Sequence, residues 1–132
     1  MEKITMIYGE KGLELPHENG NWILKRDFGY SPVQMLSSSI GACGAYVYAS
    51  ILKKAHIPYW FCETVVEYEV DLEFPNDVKP LKSVDIEFRV KVDEQYQDKA
   101  RKLTKIVGNY CPVIQSLDKK IKVSETVVFV TE

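Results

Sequence analysis

From Ser31 to Leu52 the chain carries no charged residue, and the first charges to follow are Lys53 and Lys54. Ser31-Pro32-Val33-Gln34 opens this stretch as a capping box: Ser31 as N-cap, Pro32 at the first helical position, Gln34 reaching back. The helix so started is predicted to run to about Ala55 and to be stopped by Pro58. Its apolar residues (Val33, Met35, Leu36, Ile40, Ala42, Ala45, Val47, Ala49, Ile51, Leu52) cover more than one stripe. A helix apolar nearly all round is a central, buried helix. The rest of the chain must therefore supply surfaces that cover it.

Those surfaces read as sheet. Ile4-Met6-Tyr8 alternates as a strand, Gly9 to Gly12 turns, and Leu13 to Leu15 returns. Asn19-Gly20 is a hairpin signal, followed by a strand from Asn21 through Arg26. From Thr64 the period is two, with Thr64, Val66, Tyr68, Val70, Leu72 and Phe74 against Glu63, Glu67, Glu69, Asp71 and Glu73. Val84 to Val92 repeats the alternation, which predicts antiparallel sheet with one wet face. An amphipathic helix is expected from Glu94 to about Tyr110, a helical turn from Pro112 to Asp118, and a last strand from Ile121 to Val130. The order β-β-β-α-β-β-α-β is an α+β fold in one domain, residues 1–132. Three strands before the long helix and three after it leave that helix partly bare in a monomer, so a homodimer is expected.

With 17 basic and 19 acidic residues the formal net charge is -2. That balance gives no electrostatic reason to expect nucleic acid or an anionic membrane as partner. No apolar stretch reads as long enough for a bilayer span, and no secretory leader pattern opens the chain. Three cysteines without a framework spacing point to a reducing, cytoplasmic setting. His17 and His56 have no ligand at a zinc-binding spacing, so neither metal nor cofactor is expected.

Chemistry is left to the cysteines. Cys43 lies mid-helix in Gly41-Ala42-Cys43-Gly44-Ala45, with Ile40, Tyr46 and Val47 at neighbouring positions. Each glycine there costs roughly 0.8–1 kcal/mol of helix stability relative to alanine. They imply a close approach to the backbone, either by a ligand or by packing elements. Cys111 precedes Pro112 at the start of a new turn, a place whose field favours the thiolate. The two thiols are either a peroxide-reducing pair or two small hydrophobes. Cys62, after Trp60-Phe61, reads as a packed or half-exposed thiol. Arg26 falls in phase with Trp22 and Leu24 in its strand, and either points inward or reaches solvent from the strand end.

Ser31-Pro32-Val33-Gln34-Met35-Leu36, Ile40-Gly41-Ala42-Cys43, Ser50-Ile51-Leu52-Lys53-Lys54 and Tyr110-Cys111-Pro112-Val113 together resemble the OsmC/Ohr family of thiol peroxidases. The element order agrees over nearly the whole chain. The resemblance implies an intertwined homodimer with central helices between sheets and sites near the subunit interface. It implies that Cys43 attacks an organic hydroperoxide and that Cys111 resolves the sulfenic acid as a disulfide. A dithiol of the lipoyl type would be the reductant. Active members carry a glutamate early in the central helix beside an arginine; here Val33 and Gln34 stand nearby, with no carboxylate from Ser31 to Ser50. Arg26 is the candidate arginine, and Gln34, Ile40, Tyr46 and Val47 the candidate substrate-binding residues. The alternative is a member with weak or no peroxidase activity that binds a small apolar or thiol ligand at the dimer interface.

Overall fold

The computed structural model describes residues 1–131, which divide into two compact units, Met1–Leu36 and the remainder from Ser37. In the first unit, β1 (Ile7–Gly9), β2 (Gly12–Leu15) and β3 (Trp22–Ile23) form a three-stranded antiparallel sheet in chain order. The turn before β2 places Gly12 at φ 122°, a conformation that suits glycine. These strands are shorter than the alternation predicts. β3 stops at Ile23 because the chain turns back: the Gly29 N–H donates to the Lys25 carbonyl at 2.9 Å and Asp27 takes a positive φ. Arg26 consequently sits in a turn, bridged to Gly29, and not in a strand.

α1 (Pro32–Lys54) begins with the expected reciprocal cap. The Ser31 N–H donates to Gln34 Oε1 at 2.8 Å, and the Gln34 N–H to Ser31 Oγ at 3.2 Å. It ends in a Schellman-type turn, with His56 at φ 58° and Ile57 N–H bonded to the Leu52 carbonyl at 3.0 Å. Pro58 follows, where the helix cannot continue.

The second unit holds a three-stranded sheet of order β4-β5-β6, from β4 (Trp60–Val70), β5 (Leu81–Lys91) and β6 (Lys122–Phe129). β4 and β5 pair antiparallel, with Val66 opposite Ile86 and Thr64 opposite Phe88. β5 and β6 pair parallel, with Ile86 opposite Glu125, so the expectation of purely antiparallel sheets is corrected. A helical crossover separates β5 from β6 in sequence, the kind of connection a parallel pairing requires. That crossover is α2 (Glu94–Leu103), a 3₁₀ turn at Thr104–Ile106, α3 (Val107–Tyr110) and α4 (Pro112–Gln115). The single helix expected from Glu94 to Tyr110 is thus interrupted. The period-two reading also overran β4, since Leu72 and Phe74 lie exposed in the following loop.

The core forms where one face of α1 meets the inner face of this sheet. Ile40, Tyr48 and Leu52 of α1 are fully buried, as are Val84, Phe88 and Val90 of β5. Tyr48 stacks on Phe88 with ring centroids 4.8 Å apart and donates its hydroxyl to the Ala100 carbonyl at 2.7 Å. Gly41 faces Val66 and Thr64, and Gly44 faces Ile86 and Phe88. By length and composition α1 is sufficient to cross a bilayer, contrary to the reading of the sequence. Its Ile40–Gly41–Gly44–Tyr48–Leu52 row packed on the sheet gives it the role of a core helix.

A Cβ on Gly41 would collide with Val66 Cγ2, a methyl on a stiff β-branched side chain. Gly41→Ala is therefore expected to lower the urea midpoint at unchanged m. Overpacking of about 1–3 kcal/mol outweighs the roughly 1 kcal/mol gained by removing a helical glycine. A raised midpoint would show that α1 does not lie this close to β4.

Candidate active site

Cys43 projects beside the row of α1 that faces the sheet, and it is only partly buried. Cys111 reaches it from the crossover. The residue before a proline avoids helical geometry, and Cys111 accordingly takes φ -95°, ψ 110° between α3 and α4. This break turns its side chain inward, where it is wholly buried. The two thiols are neighbours, close enough for Cys43 to act on the Cys111 proton.

That environment outweighs the thiolate-favouring field that the helix-start position of Cys111 suggests in the sequence. Burial, followed by the neighbouring Cys43 side chain, pushes the Cys111 thiol up to about 11. Backbone N–H groups of Ile114 and Val113 at the start of α4 pull the other way, and the electrostatic influence of Cys43 adds to the rise. A single short turn of helix does not compensate for lost solvation. Both thiols are free, as is Cys62, which is exposed at an irregularity of β4 near the Trp60 carbonyl.

The other sequence candidates divide. Val47, one turn beyond Cys43, lines an open groove, and Tyr46 is 79% exposed on the neighbouring face. Ile40 is fully buried in the core and does not line an open approach. The Gln34 side-chain oxygen is committed to the Ser31 N–H. Arg26 belongs to the N-terminal unit, where its side chain is exposed. Among the described residues no group of three His, Cys, Asp or Glu side chains is placed to hold a metal ion.

Two features escaped sequence reasoning. The groove occupies about 600 Å³ between α1 and the crossover, lined by Val47, Ser50, Ile51, Lys54, Ala55, Ile106 and Tyr110. No local pattern announces it, because its walls come from separate elements. The second is Glu125, in phase with Val123 and Val127 on the half-buried face of β6. Burial raises its carboxyl above the usual range, and its Oε1 lies 3.2 Å from where a Cβ on Gly108 would stand. The alternation of β6 was a legible signal for it.

The OsmC-like protein family model matches residues 25–126 of this chain. No curated protein sequence matches it. Among solved structures, an OsmC-like protein from Mycoplasma pneumoniae superposes with a TM-score of 0.75 at 14% identity, covering 98% of this chain and 96% of that one. The organic hydroperoxide resistance protein OhrB of Bacillus subtilis gives 0.61 at 18% identity, with 96% of each chain covered. An organic hydroperoxide resistance protein from Elizabethkingia anophelis gives 0.61 at 20% identity, with 98% of each covered.

Because Cys43 contributes to the raised Cys111 thiol, Cys43→Ala should lower the Cys111 pKa from about 11. Persisting burial should keep it above the ordinary value of about 8.5. The pH profile of Cys111 alkylation in a Cys62→Ser background reads this directly. An unchanged profile would mean that the two thiols are not in contact.

Proposed function

This chain belongs to the OsmC family, and we propose that it is a thiol-dependent peroxidase that reduces organic hydroperoxides through Cys43 and Cys111. The observation that carries the reading is the nearness of two free thiols, one partly open and one buried. Cys43, the partly open one, is the attacking group. Its thiolate takes the distal oxygen of the hydroperoxide, so an S–O bond forms, the O–O bond breaks and an alkoxide leaves to collect a proton as the alcohol. Sulfur is oxidised by two electrons and the peroxide is reduced by two. The Cys111 sulfur then attacks the Cys43 sulfenic acid: an S–S bond forms, the S–O bond breaks, and hydroxide leaves as water with the Cys111 proton. An external dithiol, proposed to be of the lipoyl type, returns both thiols by exchange.

Arg26 is proposed as the cation that steadies the thiolate and the peroxide oxygen. Tyr46 and Val47 are proposed to border the approach, with Gln34 nearer the helix start. We further propose a cytoplasmic homodimer in which a second copy covers the outer stripe of α1. Val33 (37% exposed), Leu36 (41%) and Tyr46 (79%) stand bare there, an apolar surface that a soluble chain is expected to cover. Sedimentation equilibrium at micromolar concentration should return twice the chain mass, and a single-chain mass would remove the dimer.

One observation favours a second reading. α1 has neither carboxylate nor cation from Ser31 to Leu52, so nothing on the helix itself assists Cys43. The chain would then be a weakly active or inactive member that binds a small apolar or thiol ligand. Peroxide consumption separates the two. In Cys111→Ser one equivalent of organic hydroperoxide should be consumed, adding one oxygen to the intact mass as sulfenic acid; wild type should instead lose two hydrogens. Cys43→Ser should show no fast consumption. Wild-type kinetics no faster than those of a free thiol of pKa about 8.5 would establish the binding reading.

A further inference from the structure

We infer, building on the peroxidase reading, that Gln115 is a positioning residue whose side-chain amide replaces the backbone donor Pro112 lacks and so holds the Cys111 elbow closed. In an α-helix each carbonyl accepts from the N–H four residues further on. For Gly108 of α3 that residue is Pro112, which has no N–H to give. Gln115 Nε2 donates to the Gly108 carbonyl instead, at 2.8 Å. The Gln115 backbone N–H donates to the Cys111 carbonyl at 2.9 Å. One residue of α4 thus reaches back twice, to α3 with its side chain and to the break itself with its main chain.

Pro112 is what makes this tie necessary. It turns Cys111 out of helical geometry, and it also removes the hydrogen bond that would have carried α3 into α4. The direction of α4 relative to α3 is then left to side chains. Beside the Gln115 bond, a Cβ on Gly108 would stand 3.8 Å from Ile114 Cγ2, so the bare backbone of α3 lies close to α4. Cys111 is the residue between the two helices, and their relative direction fixes where its sulfur lies. Ser116 does not share this role: its Oγ donates to the Pro112 carbonyl at 2.8 Å, a bond confined to α4 and its C-cap. A sulfur held in place closes on a neighbouring sulfenic acid faster than a loosely held one. The consequence falls on disulfide closure and leaves the attack of Cys43 on peroxide untouched.

The test compares Gln115→Met, which removes the donor, and Gln115→Asn, which draws it out of reach, with Ser116→Ala, all in a Cys62→Ser background. Because Cys111 is wholly buried, its initial rate of alkylation by iodoacetamide reports how often the elbow opens. Both Gln115 variants should raise that rate roughly two- to tenfold, the scale of one hydrogen bond, with Cys43 alkylation unchanged. Ser116→Ala should leave both rates at the background value. After one equivalent of cumene hydroperoxide, peroxide consumption should keep its rate, while disulfide closure, read as the loss of two hydrogens, should slow by a similar factor. Unchanged Cys111 alkylation in both Gln115 variants, an equal acceleration in Ser116→Ala, or closure as fast as in the background protein would each overturn the inference. If the background protein consumes peroxide no faster than a free thiol, the peroxidase reading fails, and the alkylation comparison still decides the role of Gln115.

Discussion

The close seating of α1 on the β4–β5 face is the contact on which the rest of this fold depends. Gly41 and Gly44 remove the side chains that would hold the helix away, and Val66, Ile86 and Phe88 fill the space so opened. The two glycines weaken the helix by roughly 2 kcal/mol together in isolation. Burial of Ile40, Tyr48 and Leu52 on the same row more than offsets this, at about 1.5–3 kcal/mol for each large aliphatic side chain. Because Cys43 lies between the glycines, the packing that fixes the helix also fixes the height of the sulfur above the sheet.

The crossover completes that arrangement from the other side. It has to carry the chain from β5 to a parallel β6, and it does so with a helix broken twice, at Thr104–Ile106 and at Cys111. The second break is chemical in origin, since Pro112 forces the preceding residue out of helical geometry. Cys111 is thereby buried against Cys43 instead of facing solvent along a helix. The same device places Tyr110 at the mouth of the groove, where it is 67% exposed.

These origins explain what could be read from the residues alone. The span of α1 was legible because Ser31, Gln34 and Pro58 are local signals that act within one turn of the backbone. The long strands were legible from period two, although Leu72 and Phe74 kept the pattern after the pairing had ended. The direction of β6 was not legible, since alternation says which side chains share a face and nothing about strand polarity. The state of Cys111 was misread for a related reason. Position at a helix start argues for a lowered thiol pKa, but burial is a property of the assembled unit and acts more strongly. Arg26 shows the limit of in-phase reasoning, because the turn at Asp27 ends the strand on which its phase was counted.

The asymmetry of the two sulfurs also orders the proposed chemistry. Of the causes that raise the Cys111 thiol, two come from the neighbouring Cys43: the closeness of its side chain and its electrostatic influence. Both belong to Cys43 in its reduced form. In the proposed scheme, attack on a hydroperoxide converts that sulfur to a sulfenic acid, which removes them. The Val113 and Ile114 N–H groups, which favour the Cys111 thiolate, remain in place. In the proposed scheme Cys111 becomes easier to ionise once its partner has been oxidised and offers an electrophile for it to attack. Burial keeps its pKa raised in both states, so it stays a poor target for peroxide throughout. In the proposed scheme, a pair built this way avoids oxidising the resolving sulfur first.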